Sequence, residues 1–172
     1  MKNITSSASA AVKVGLCFSG ILGFVNSSYG LEEAVTVEKF ELKIVETSFG
    51  GDEIMAGDLA EAIEKILTTV SLDSRYEKNT NLCVAYTASG EFSSAEEHCK
   101  LALKFSRSVN SGIKNPGLYL ATKEKHALAL NNLGVMRALQ GNTGDALEYF
   151  ESASVKSKRL SLTTTRNISV LE

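Results

Sequence analysis

The chain has no tryptophan and a single proline, Pro116, so the interruption of helices falls almost entirely to its 13 glycines. Cysteine and histidine are scarce: Cys17, Cys83 and Cys99, with His98 and His126. None of these stands at a zinc-ligand spacing, and each histidine is read as a surface or partly buried helix residue. No glycine-rich loop joins a strand to a helix in the manner phosphate binding requires, and no serine lies in a nucleophile-elbow setting. The paired acids Glu32-Glu33 and Glu96-Glu97 are adjacent, so on a helix they would point about 100° apart and could not share a substrate. These absences predict a chain that is not an enzyme and carries neither metal nor cofactor. Basic residues are not in excess either: 18 Lys and Arg stand against 20 Asp and Glu, a balance that argues against a nucleic-acid partner. Past the N-terminal segment no apolar run reaches the roughly 18 residues a membrane-spanning helix needs, so no span is expected in the mature chain.

What is present fits one domain: 172 residues, 44% of them hydrophobic, with segments rich in Ala, Leu, Glu and Lys that favour helix. Residues 1–30 read as a signal peptide. Lys2 and Lys13 supply a positive n-region, residues 14–25 an apolar stretch, and Ser28-Tyr29-Gly30 the small–x–small pattern for cleavage after Gly30. The alternative is an N-terminal anchor that stays uncut. Cys17 does not make a lipoprotein signal, because Leu16 stands where a small residue is required. The mature chain is then periplasmic or secreted, with a formal charge of 16 − 20 = −4. That charge is uneven, with ten acids against two lysines in residues 31–64 and ten acids against fourteen bases in residues 65–172. Either these are solvated helix faces, or the asymmetry draws molecules head to tail or steers a charged partner.

Three stretches repeat one pattern, a Gly followed five residues later by Ala: Gly57/Ala62, Gly90/Ala95 and Gly141/Ala146. Eight residues before each Gly stands a large apolar residue followed by a small one, as Phe49-Gly50, Leu82-Cys83 and Leu133-Gly134. The unit from Leu82 to Tyr86 through Gly90, Ala95 and Ala102 resembles the tetratricopeptide repeat (TPR), a helix–turn–helix unit of about 34 residues. The likeness covers roughly residues 47–156 and is strongest in the second and third units. The chain departs from it at Arg137, where an aromatic is usual, at Cys83, where Gly is usual, and at Gly50-Gly51 in the first unit. The fold expected is therefore all-α, a TPR-like solenoid of two clear units and one degenerate unit over residues 48–158, with a short extended arm ahead of it.

The arm, residues 31–47, alternates apolar and charged residues through Val35, Val37, Phe40, Leu42 and Ile44, the signature of a half-buried strand. It must pair with another segment, with a second chain, or lie over the end of the stack. Asp52 and Asp58 are expected as N-caps of two helices separated at Gly57. A helical hairpin is expected over residues 73–89 and 93–109, then a loop over 110–117, a long helix over 118–139 and a last helix over 145–158. Ser93 and Ser94 are placed at the cap of the second hairpin helix, and Gly90 and Gly141 end helices by accepting positive φ. The tail, residues 159–172, is Thr-rich and reads either as a strand partner for the arm or as disordered; Asn167-Ile168-Ser169 within it is a glycosylation sequon if the cell is eukaryotic. Since no polar helix caps the stack, the tail or residues 35–45 should fold over an end, or two chains should pack end to end as a homodimer.

The resemblance implies a protein or peptide partner held on a concave face lined by the leading helices. The outward-stepping residues there are Thr80, Val84, Thr87 and Ala88 in one unit and Asn131, Val135, Ala138 and Leu139 in the next, with both valines at least partly exposed. Thr80 and Val84 stand where chaperone-tail binders of the family carry a carboxylate clamp, so that activity is not carried over. Asn81 and Asn132, ahead of Leu82 and Leu133, match the family's Asn-Leu-Gly pattern and are read as structural. The function expected is an exported non-catalytic adaptor that binds an extended peptide or a protein surface in this groove or through its N-terminal strand. The alternative is a small-molecule or lipid-binding helical domain, or a degenerate enzyme, with a pocket near residues 110–117. Finally, facing residues of the hairpin turning at Gly90-Glu91 sum to about 182, as Cys83 and Cys99 do. The pair is expected to form a disulfide, the alternative being two buried thiols.

Overall fold

The computed structural model describes residues 12–13, 32–69, 75–107 and 116–172. Three short strands come first: β1 (Val12–Lys13), β2 (Glu32–Val37) and β3 (Phe40–Val45). Helices follow as α1 (Gly51–Ala56), α2 (Leu59–Thr68), α3 (Arg75–Ser89), α4 (Phe92–Arg107), α5 (Pro116–Leu139), α6 (Thr143–Lys156) and α7 (Ser161–Leu171). The chain is mostly helical, with a small antiparallel sheet ahead of the helices.

The arm is a hairpin rather than one strand. Strands β2 and β3 pair in antiparallel register, Val37 opposite Phe40, Val35 opposite Leu42 and Glu33 opposite Ile44. The apolar alternation runs on odd positions to Val37 and on even positions from Phe40, and the slip marks the turn. Glu38 there takes φ 55°, the left-handed conformation that a two-residue hairpin turn asks of its first position. Val35, Val37, Phe40, Leu42 and Ile44 therefore share one face, and all of them are buried. Val12 and Lys13 pair with Val37 and Thr36 on the other side of β2; the rest of the expected signal peptide lies outside the described residues.

Helix α1 begins after Gly50, φ 79°, and Asp52 lies inside its first turn rather than at the cap. Asp58 precedes α2 without a side-chain cap bond; its carbonyl accepts from the Ala62 N–H at 2.9 Å. Gly90 and Gly141 adopt φ 79° and 80° just beyond α3 and α5, as a helix stop requires. Ser93 and Ser94 lie within α4, which begins one residue earlier, at Phe92. Of the expected loop 110–117, residues 116 and 117 belong to α5, and the remainder lies outside the described residues. Pro116 opens that helix, at a position where the missing N–H removes no intrahelical bond.

The tail is the larger correction. Residues 161–171 form a helix, neither strand nor disordered, despite four β-branched residues between Thr163 and Ile168. Each such residue costs only a few tenths of a kcal/mol of helix propensity, and burial outweighs it. Ile168, Val170 and Leu171 pack against the same core as the hairpin, Thr163, Thr164 and Asn167 are buried, and the Thr164 hydroxyl donates to the Leu160 carbonyl at 3.1 Å.

Successive helices pack on one another, with α3 against α4, α4 against α5, α5 against α6 and α6 against α7. The turn at Gly90 brings Cys83 opposite Cys99, their Cα atoms 4.7 Å apart and their sulfurs at bonding distance, 2.04 Å. Between α5 and α6 the close approach is made by Gly134. A Cβ there would stand 2.6 Å from Phe150 Cε1, and Phe150 is fully buried, so its ring has nowhere to retreat. Gly134→Ala should therefore destabilise by about 1–3 kcal/mol through overpacking, against the roughly 1 kcal/mol that Ala gains over Gly in a helix. Urea unfolding measures it, and adding Phe150→Leu should recover part of the loss; a variant as stable as its parent would contradict the packing described.

Candidate functional site: a strand held by asparagine amides

Strand β3 lies across α3, α5 and α7. Its residues 40, 42 and 44 turn their backbone groups toward β2, so residues 41, 43 and 45 direct theirs toward the helices. For each of these three, one asparagine meets both the N–H and the carbonyl. Asn81 on α3 accepts from the Val45 N–H at 2.9 Å and donates to the Val45 carbonyl at 3.0 Å. Asn132 on α5 does the same for Lys43 at 2.8 and 2.7 Å. Asn167 on α7 does so for Glu41 at 2.8 and 3.0 Å. A carboxamide offers one acceptor and two donors on a single plane, so it completes the ladder as a neighbouring strand would. Asn131 ties the set together: its Nδ2 donates to the Glu41 carbonyl at 3.0 Å, and its Oδ1 accepts from Asn167 Nδ2 at 2.9 Å. All four asparagines are at most 1% exposed.

Side chains add little polar recognition. Arg166 Nη1 lies 2.8 Å from Glu41 Oε1, the salt bridge from the helices to β3. The rest is apolar: Val35, Val37, Phe40, Leu42 and Ile44 form one cluster with Leu82, Val84, Ala85, Ala88 and Val135.

Of the expected groove residues, Val84, Ala88, Asn131, Val135, Ala138 and Leu139 are brought together, but against the hairpin. Val84 and Val135 are 0% exposed, which corrects the expectation of a partly open groove: the apolar face of the hairpin covers them. Ala88 is buried, and Ala138 and Leu139 are partly buried, against the same cluster. Thr80 and Thr87 are buried with their hydroxyls bonded to the carbonyls of Tyr76 and Cys83, four residues back. Asn131 belongs to the amide network.

Asn167 is the residue the sequence reading missed as a contact. Its signal was present: Asn167-Ile168-Ser169 repeats the form of Asn81-Leu82-Cys83 and Asn132-Leu133-Gly134, 35 residues beyond Asn132. Burial of Asn167 and the use of its amide leave the sequon closed to glycosylation in the fold.

Other polar groups build structure. Arg137 Nη2 meets Glu96 Oε1 at 2.7 Å and its Nη1 meets Gln140 Oε1 at 3.0 Å, joining α5 to α4. Lys100, with Arg137, holds the Glu96 carboxyl below its usual range. A cavity of about 390 Å³ is lined by residues 46–53 and Lys65. There Lys65 pairs with Glu53 and lowers its carboxyl pKa. The pocket expected near residues 110–117 falls largely outside the described residues. His98 bonds Asn79 Oδ1 at 2.9 Å and stacks on Tyr86, and burial lowers its pKa. His126 bonds Ser106 Oγ at 2.9 Å; burial, then Arg107 and Lys156, push it down to about 4. Among the described residues no group of three His, Cys, Asp or Glu is placed to hold a metal ion.

No protein-family model matches the chain, and neither curated proteins nor solved structures provide a match.

Asn132→Ala would leave the Lys43 N–H and carbonyl unpaired in a partly buried place, each costing about 1–3 kcal/mol. Stability in urea should fall accordingly, and hydrogen exchange at the Lys43 amide should accelerate more than at Val45. Equal protection in the variant would remove the amide from its assigned role.

His126 titrates in the fold below its ordinary value of about 6.5, so folding excludes a proton. Its contribution is intact above pH 6.5 and is lost as pH falls toward about 4. His126→Gln should flatten that part of the stability profile, and an imidazole titrating near 6.5 by NMR would refute the shift.

Proposed function

We propose that the chain is a non-catalytic, TPR-like interaction module whose concave helical face holds an extended polypeptide through its main chain. The carrying observation is the row of asparagines, one from each of α3, α5 and α7, bonding both backbone groups of alternate residues of β3. Recognition of this kind requires an extended backbone and apolar residues at every second position; it is tolerant of sequence at the positions the amides read. In the chain by itself the strand held is its own. Six of the eight leading-helix positions of the TPR resemblance lie against the hairpin, which supports the solenoid reading. The pairing of Cys83 with Cys99 supports an exported protein in an oxidising compartment. No helix among the described residues is long and apolar enough to cross a membrane.

A protease site placed after Thr47 tests the module. Once the folded protein is cut there, a labelled peptide of residues 31–47 should exchange into the groove saturably. Asn132→Ala should weaken it at least tenfold, a change of about 1.4 kcal/mol. Equal binding of a shuffled peptide that lacks the apolar alternation would defeat the proposal.

A further inference from the structure

We infer that the same groove accepts the hairpin of a second copy of this chain, the two copies exchanging residues 32–45 reciprocally. The inference rests on the strand-holding reading of the concave face. Every polar tie described above between hairpin and helices is made to β3 main chain or by the Glu41–Arg166 pair, and none depends on which chain supplies the strand. What keeps the hairpin at home is the link of residues 46–50. That link is folded tightly, with Ser48 N–H on the Val45 carbonyl at 3.1 Å and Gly51 N–H on the Ser48 carbonyl at 3.0 Å.

Its closed form depends on two successive glycines. Gly50 has φ 79°, and a Cβ on it would lie 2.5 Å from Ile66; a Cβ on Gly51 would lie 2.3 Å from the Glu46 carbonyl oxygen. Opened, residues 46–50 span up to about 17 Å, enough to carry the hairpin away from its own helices. Exchange then leaves the amide contacts and the apolar burial unchanged and replaces only the closed link, the condition under which domain swapping is a low-cost route to a dimer. A short link gives the tethered hairpin an effective concentration on the order of millimolar, so the parent chain should be monomeric at micromolar concentration. A side chain at position 51 burdens the closed link alone and should shift the balance toward the dimer.

The test uses the full chain with Cys17→Ser, Glu41→Cys and Arg166→Cys, joined by a short bismaleimide across the place of the Glu41–Arg166 contact. With Gly51→Ala added, the interchain product at micromolar concentration should rise at least tenfold over the chain with Gly51. Should the Ala variant fail to fold, the Gly51 chain refolded at about 1 mM provides the second measurement, with an interchain product again expected. Cross-links that remain within one chain under both conditions overturn exchange and leave the strand holder standing. A dimer by light scattering with intrachain links has the same meaning, and indicates end-to-end packing. Absence of any cross-link between the two positions overturns both readings.

Discussion

The backbone of β3 sets the terms for the rest of the molecule. A strand with only one partner strand leaves every second N–H and carbonyl unpaired, and burying these groups without partners would cost about 1–3 kcal/mol apiece. Here Leu42 and Ile44 lie in the core while the open edge of the same strand lies against α3, α5 and α7. Asn81, Asn132 and Asn167 resolve the conflict by completing the ladder from three separate helices. The helices must then stand where their asparagines fall on residues 45, 43 and 41 in turn, so the order of the stack and the register of the strand constrain each other.

That placement depends on close helix packing. Gly134 lets Phe150 lie against α5, and the Cys83–Cys99 pair draws α3 and α4 to a Cα separation of 4.7 Å. Charged contacts join segments distant in sequence. Arg166 reaches Glu41, Arg137 reaches Glu96, and Lys125 reaches Glu77. Part of the charge asymmetry between the acidic N-terminal stretch and the basic remainder is thus used inside the molecule, by Arg166 with Glu41 and by Lys65 with Glu53. These pairs are partly exposed and contribute modestly, so the apolar cluster under the hairpin carries more of the stability.

The order of the helices ahead of the tail and most of their stops were legible in the sequence, because they rest on local signals: Gly90 and Gly141 beyond two helices, and apolar steps of three and four residues between them. The disulfide-distance pair was legible as well, since facing positions in a helical hairpin follow from the turn. The hairpin was half legible. Alternation marks strand, while the turn at Glu38-Lys39 shows in the sequence only as the phase slip between Val37 and Phe40. The tail was misread because β-branched residues argue locally against helix while its contacts with the hairpin core argue for it, and the latter are invisible in a window of sequence.

Local pattern by itself determined which segments up to residue 156 are helical, where most of them stop, and which face of the arm is apolar, because hydrogen-bonded turns and side-chain periodicity are properties of neighbouring residues. Only the tertiary structure decided that Val84 and Val135 are core rather than an open groove, that residues 161–171 are helix, and that Asn81, Asn132 and Asn167 act together. An asparagine looks the same in sequence whether its amide meets water or a strand. Which it meets is set by long-range packing, and these three are brought onto alternate residues of one strand across separations of 36, 89 and 126 residues.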